Sequence, residues 1–223
     1  MKKIITLAVC AVIATASLAA KDYEIISSFA LGGTFNKTIL KNYTVKTNST
    51  DLIANVKYVS TKSNLTFKAL GDVGMAFGKE KDVFLAGEND DVFGISYNFF
   101  GGVGWNLINN TRNTFGVYGV LGFTEQTYSE NIQEKNRSGY TITNVDYTAT
   151  YSTFLVGLDF DYNFKMTKNI GFTAGCYFAI PLFGQVEFEI ENNYSGQTEK
   201  NKKKNILAGG YSIAPRIGLS FTL

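Results

Sequence analysis

Thirteen residues at the C-terminus, Tyr211 to Leu223, alternate without a break: Tyr211, Ile213, Pro215, Ile217, Leu219, Phe221 and Leu223 share one face, and Ser212, Ala214, Arg216, Gly218, Ser220 and Thr222 the other. Side chains of a strand point to opposite faces with period two. The segment therefore needs apolar surroundings on one side and a confined, mildly polar space on the other. The same period recurs upstream in segments 23–35, 51–60, 64–77, 91–107, 114–126, 147–164 and 170–190, and the last strand begins near Ile206. In the fourth segment, Phe93, Ile95, Tyr97, Phe99, Gly101, Val103, Trp105 and Leu107 form a face without charge. That is what lipid requires, since a charge on a lipid face costs roughly 2–4 kcal/mol at mid-membrane. The second segment has poor contrast between its faces, and the fifth is apolar on both sides in its middle.

The connections alternate as well. Residues 61–63, 108–113 and 165–169 are short and polar, whereas 36–50, 78–90, 127–146 and 191–205 are long. Strict alternation of short and long links predicts an all-β, membrane-spanning antiparallel up-and-down β-barrel of eight strands, with short periplasmic turns, long external loops and both chain ends in the periplasm. The polar face distinguishes this from a soluble barrel turned the other way. It is mostly Gly, Ala, Ser, Thr and Asn, which suits a narrow lumen better than water. Trp105, Tyr162 and Phe221 are expected at the lower rim and Tyr211 and Tyr151 at the upper, as aromatic girdles.

Composition agrees with an all-β chain: two prolines, 22 glycines and 14% aromatic residues. Residues 1–20 have the parts of a secretory signal peptide, with Lys2 and Lys3 ahead of an apolar stretch and small residues up to Ala20. Cleavage there leaves residues 21–223 as the barrel domain. Without Lys2 and Lys3 the 21 basic residues become 19, against 19 acidic ones, so the mature chain is formally neutral and has no basic face for nucleic acid. It keeps a single cysteine, Cys176, on the lipid side, so no internal disulfide forms.

A signal peptide, eight alternating strands, three tight turns, four long loops and the terminal IGLSFTL together resemble the small outer-membrane barrel superfamily that includes the OmpA transmembrane domain, OmpX/Ail and OmpW. The resemblance spans the mature chain and is architectural. It implies a monomer in the outer membrane of a diderm bacterium, inserted by the barrel assembly machinery acting on residues 211–223. It also implies contact with the bilayer and with lipopolysaccharide or an equivalent outer-leaflet lipid.

Two sets of residues are candidates for chemistry. Glu24, Lys57, Lys68, Asp72, Asp159, Asp161 and Arg216 fall on luminal faces. By counting upward from the strand ends, Arg216 and Asp72 should share one height, with the others lower. Buried charges persist when paired or hydrated, so these groups form either an ion-pair plug or a narrow ion path. Lys200, Lys202, Lys203 and Lys204 form a basic run in the fourth external loop, with Lys37, Lys41 and Lys46 in the first. Such runs are either solvated or attract phosphates, acidic polysaccharides or a host ligand. The chain has no histidine, the usual general base and zinc ligand, and no cofactor motif, so an enzyme is not expected. The sequence therefore points to a structural or surface-interaction role through external loops. The alternatives are a channel for small solutes or hydrophobic molecules, as in OmpW, and a surface adhesin.

Overall fold

The computed structural model describes residues 23–40, 43–60, 62–79, 91–135, 141–193, 195 and 197–223; the expected signal peptide, residues 1–20, lies outside them. Eight antiparallel strands form a closed barrel in chain order: β1 (Tyr23–Leu40), β2 (Tyr43–Ser60), β3 (Leu65–Lys79), β4 (Asp91–Asn109), β5 (Asn113–Lys135), β6 (Thr141–Lys165), β7 (Ile170–Asn192) and β8 (Gln197–Thr222). The ring closes where β8 pairs with β1, from Ile26–Thr222 to Leu40–Ala208. Closure leaves no strand edge in hydrocarbon, where an unpaired backbone group costs several kcal/mol. Even β3, the shortest strand at 15 residues, exceeds the 9–11 or so needed to cross a bilayer.

The barrel is inverted relative to a soluble protein. Phe29 and Leu52 on the outer wall are 65% and 64% exposed, while the inward Lys57 and Asp161 are 0% exposed. The alternation holds from Tyr211 to Leu223 at the end of β8, and Arg216 is buried between the exposed Pro215 and Ile217. Sequence left β5 undecided. The structure turns Tyr118, Val120 and Tyr128 inward and leaves Leu121 and Phe123 exposed on the outer wall. The tight turns and both described chain ends lie at one end of the barrel, where the Thr222 amide bonds to Asn169 and the Leu223 amide to Ile25.

Three of the four long links differ from the expected loops: 36–50, 127–146 and 191–205 are mostly continuations of the strands, whereas all of 78–90 beyond Gly78 and Lys79 lies outside the described residues. β5 to β8 run 23, 25, 23 and 26 residues, longer than β1 to β4. One wall of the barrel thus stands well above the other. Its outer face turns polar above Phe123, where hydrogen bonds join Ser152 to Glu125 (3.2 Å), Thr127 to Thr150 (3.2 Å), Ser129 to Thr148 (3.1 Å) and Asn131 to Asp146 (2.6 Å). One expectation of facing is corrected here. Tyr151 is buried inside, 6.3 Å from the Tyr128 ring, because its odd number puts it in phase with the luminal Asp159 and Asp161. On β7, irregular pairing between Ala179 and Val186 shifts the phase, so Val186 is buried inside and Glu187 and Glu189 go to the outer side.

An eight-stranded barrel is just wide enough for its own side chains, and bulky groups fit by facing glycine across the strand. Phe100 stands opposite Gly122, Lys68 opposite Gly102 and Arg216 opposite Gly175. A Cβ at Gly175 would lie 2.5 Å from Arg216 Nη2 and 2.8 Å from the Phe160 carbonyl oxygen. The carbonyl belongs to the sheet and cannot retreat. Gly175→Ala is therefore expected to destabilise the barrel by about 1–3 kcal/mol, measured as the urea midpoint in lipid vesicles; an unchanged midpoint would show that the site has room.

Candidate functional site in the barrel lumen

Five of the seven predicted luminal charges come together. Asp161 on β6 accepts from Lys57 Nζ on β2 at 2.8 Å and from Lys68 Nζ on β3 at 2.6 Å. Lys68 also pairs with Asp159. Arg216 on β8 reaches both carboxylates, with Nη1 at 2.8 Å and Nη2 at 3.0 Å from the two oxygens of Asp159, and Nη2 at 2.9 Å from Asp161 Oδ2. β2 and β6 are four places apart in a ring of eight, so the Lys57–Asp161 pair ties opposite walls together. Asn55 and Asn163 donate further bonds to Asp161, at 3.3 and 2.8 Å. The Lys68 ammonium also lies 5.0 Å from the centre of the Tyr118 ring, a cation–π contact.

The other two predicted members stand apart. Glu24 pairs with Lys165, half-buried at the end that carries the tight turns. Asp72 does not meet Arg216; it accepts from Asn98 Nδ2 at 2.5 Å and makes no ion pair among the described residues. Counting residues from strand ends misled here because tilted strands in a barrel are sheared. Arg216 is in register with Gly32 of β1 on one side but with Gly175 of β7 on the other, and Gly175 in turn faces Asp161. Sequence reasoning also passed over Asp51, taken as the start of a strand. It lies buried and accepts from Thr34 (2.6 Å), Ser49 (3.0 Å) and Ser96 (3.1 Å). Extending the alternation of β2 upward would have placed it inside.

Apolar side chains close the space beside the ion cluster. Leu70, Phe100, Tyr118, Val120, Leu155 and Tyr177 are all buried, with Phe100 and Tyr177 ring centres 4.6 Å apart. The void left among Lys68, Asp159, Phe100 and Tyr177 measures about 10 Å³, close to the space of one water. A second aromatic layer, including Tyr128 and Tyr151, fills the lumen farther from the turns.

The basic run is not a loop. Lys200 lies in β8, its Nζ 2.8 Å from Glu189, and Lys202 stands opposite Glu187 in the β7–β8 register. The side chains of Lys202, Lys203 and Lys204 lie outside the described residues. Glu189, helped by Glu187 and Glu191, raises the Lys200 ammonium above its ordinary pKa. Lys200, the member of the run whose side chain is described, is therefore paired with an acidic strand.

No protein-family model matches this sequence, and no curated protein sequence matches it. Solved structures do. A major outer membrane protein from Thermus thermophilus aligns over 88% of this chain and 99% of its own, with a TM-score of 0.60 at 10% identity. The chain has the fold of an outer-membrane β-barrel. Neisserial surface protein A aligns over 90% of this chain and 97% of its own (TM-score 0.47, 9% identity), and Ail of Yersinia pestis over 91% and 99% (TM-score 0.41, 12% identity).

In an outer-membrane barrel the buried ion cluster sits inside a wall surrounded by lipid, so breaking it strands a charge away from bulk water. Arg216→Ala is expected to cost about 3–5 kcal/mol in a vesicle unfolding titration, and Asp161→Ala at least as much because three cations lose a partner. Asp72→Ala, without an ion pair to break, should cost less than either. Equal effects at all three positions would contradict the arrangement.

Proposed function

We propose that this chain is a monomeric barrel in the outer membrane of a diderm bacterium, closed to solutes, that acts as a rigid scaffold for the surface above its lipid-facing band. The filled lumen carries this reading: five interlocked charges and buried apolar side chains occupy it, and the void where Lys68 and Asp159 meet Phe100 and Tyr177 holds about 10 Å³. A water-filled channel needs a continuous path, and a hydrated ion cannot pass a space of about one water. The second support is the tall wall of β5 to β8, whose outer face is a ladder of polar and charged pairs. That face is suited to water and surface contacts.

Residues 1–20 direct export and residues 21–223 form the barrel, with residues 211–223 as the contact for the assembly machinery. The outer wall meets the bilayer and the outer-leaflet glycolipid. The role is non-catalytic: the chain lacks histidine, and the luminal carboxylates Asp159 and Asp161 are committed to cations rather than free for acid–base work. The OmpW-like channel is the reading this disfavours. A surface adhesin remains compatible with a projecting wall.

Purified barrel in planar bilayers is expected to give no steady single-channel openings; regular openings would overturn the closed-scaffold reading. Replacing residues 190–199 by a tight turn should leave membrane insertion and heat-modifiable gel mobility intact, since the lumen and the lipid-facing band are untouched. It should abolish adhesion to host cells if the projection is the contact surface, and undiminished adhesion would remove that role from it.

A further inference from the structure

We infer a binding site for the phosphate monoester headgroup of an acylated glycolipid, of the lipid A class, on the outer wall formed by β8 and β1 to β4. This rests on the proposed membrane setting, with the tight turns on the periplasmic side. Among the described residues, pairing between β2 and β3 stops at Asn48–Phe77 although β2 continues to Tyr43. A groove of about 710 Å³ opens there, lined by Phe35, Phe77, Phe93 and Tyr211 together with Lys37 and Lys46. Phe77 and Phe93 meet edge to face at 5.5 Å, making an aromatic floor at the end of the lipid-facing band away from the turns.

The two lysines are the decisive feature. Lys37 and Lys46 are direct cross-strand partners, and both line the groove, Lys46 exposed and Lys37 half-buried. Like charges in that position repel. Neither makes an ion pair among the described residues, in contrast to Lys200, which has Glu189. An anion between them would convert the repulsion into two charge-assisted hydrogen bonds. A phosphate monoester carries about −1.5 to −2 charges near neutral pH, which matches two ammonium groups. A phosphodiester lipid carries one negative charge, and in a zwitterionic lipid an ammonium of its own already offsets it. Aromatic side chains below the lysines supply the surface for acyl chains, and Tyr211 places an amphipathic ring at headgroup level. The combination of paired cations over an apolar floor therefore selects an amphiphile with a doubly charged head.

The test uses the purified full barrel in detergent, with bound lipid counted by native mass spectrometry. The probes are bis-phosphorylated lipid A, fully dephosphorylated lipid A and phosphatidylglycerol. Bis-phosphorylated lipid A should be retained by the wild-type barrel, with apparent affinity falling at least about tenfold in the Lys37→Gln/Lys46→Gln double variant. Dephosphorylated lipid A should bind the wild type as weakly as the double variant binds the phosphorylated form. Lys200→Gln should leave retention unchanged. Equal retention by wild type and double variant would overturn the site, as would equal retention of the two lipid A forms. Phosphatidylglycerol binding as tightly, with the same lysine dependence, would overturn the monoester assignment. The dephosphorylated probe is applied to wild-type protein, so that comparison decides the matter even if the double variant does not fold. Fractionation of the native protein with the outer membrane is scored separately. Its failure would remove the membrane setting, whereas correct fractionation with lysine-independent lipid binding would remove only this site.

Discussion

Five charged side chains from four strands are gathered inside a cylinder whose outside is hydrocarbon, and the rest of the structure depends on how that is made tolerable. Lipid forces the sheet to close, because only a closed sheet leaves no backbone group unpaired. Eight strands then fix the width of the interior. Within that width Asp159 and Asp161 each need cations close by, and Lys57, Lys68 and Arg216 supply them across the lumen from β2, β3 and β8, none of which pairs with β6. Glycines opposite the long side chains, such as Gly175 facing Arg216, make the room. On the proposed reading, the same close fit that neutralises the charges also removes the space through which a solute would pass.

The outer surface follows from a different balance. Between the tight turns and the level of Phe123, the outward side chains of β5 are apolar; above it they become Glu125, Thr127, Ser129 and Asn131. That change marks the height at which lipid gives way to water on this wall. On β7 the same transition needs irregular pairing, which turns Glu187 and Glu189 outward, where Glu189 meets Lys200 of β8. On the opposite, shorter wall the transition falls at Lys37 and Lys46, with an aromatic groove beneath them. One constraint, the edge of the lipid, thus shapes a polar ladder, an acid–base strand pair and a cationic groove on different sides of one barrel.

Much of this was legible in the sequence because period-two alternation is strict wherever one face must be apolar. The strand order, the tight turns and the inward position of Arg216 all follow from it. Three of the long links read as loops because alternation of hydrophobicity fades above the lipid: Thr, Ser and charged residues follow one another along β5 to β8 there, although backbone pairing continues. Partners across the lumen were only partly legible. Parity placed Lys57, Lys68, Asp159, Asp161 and Arg216 inside, but shear between tilted strands decided that Arg216 meets Asp159 rather than Asp72. Irregular pairing in β7 was invisible for a related reason, since a shift of phase leaves no residue-type signature in a segment where Leu182, Phe183 and Val186 are all apolar. The exposed pairing of Lys37 with Lys46 needed the β1–β2 register, which residue order alone does not give.

The central claim is that the lumen is closed by its own side chains. The most direct test is thiol accessibility at Ala214, an inward residue 1% exposed beside the ion cluster, in an Ala214→Cys variant carrying Cys176→Ser. A charged, membrane-impermeant thiol reagent should fail to modify this cysteine from either side of a vesicle while the barrel is folded, and should react fully once it is unfolded in urea. Rapid modification of the folded protein from either side would show an open aqueous path and contradict the account.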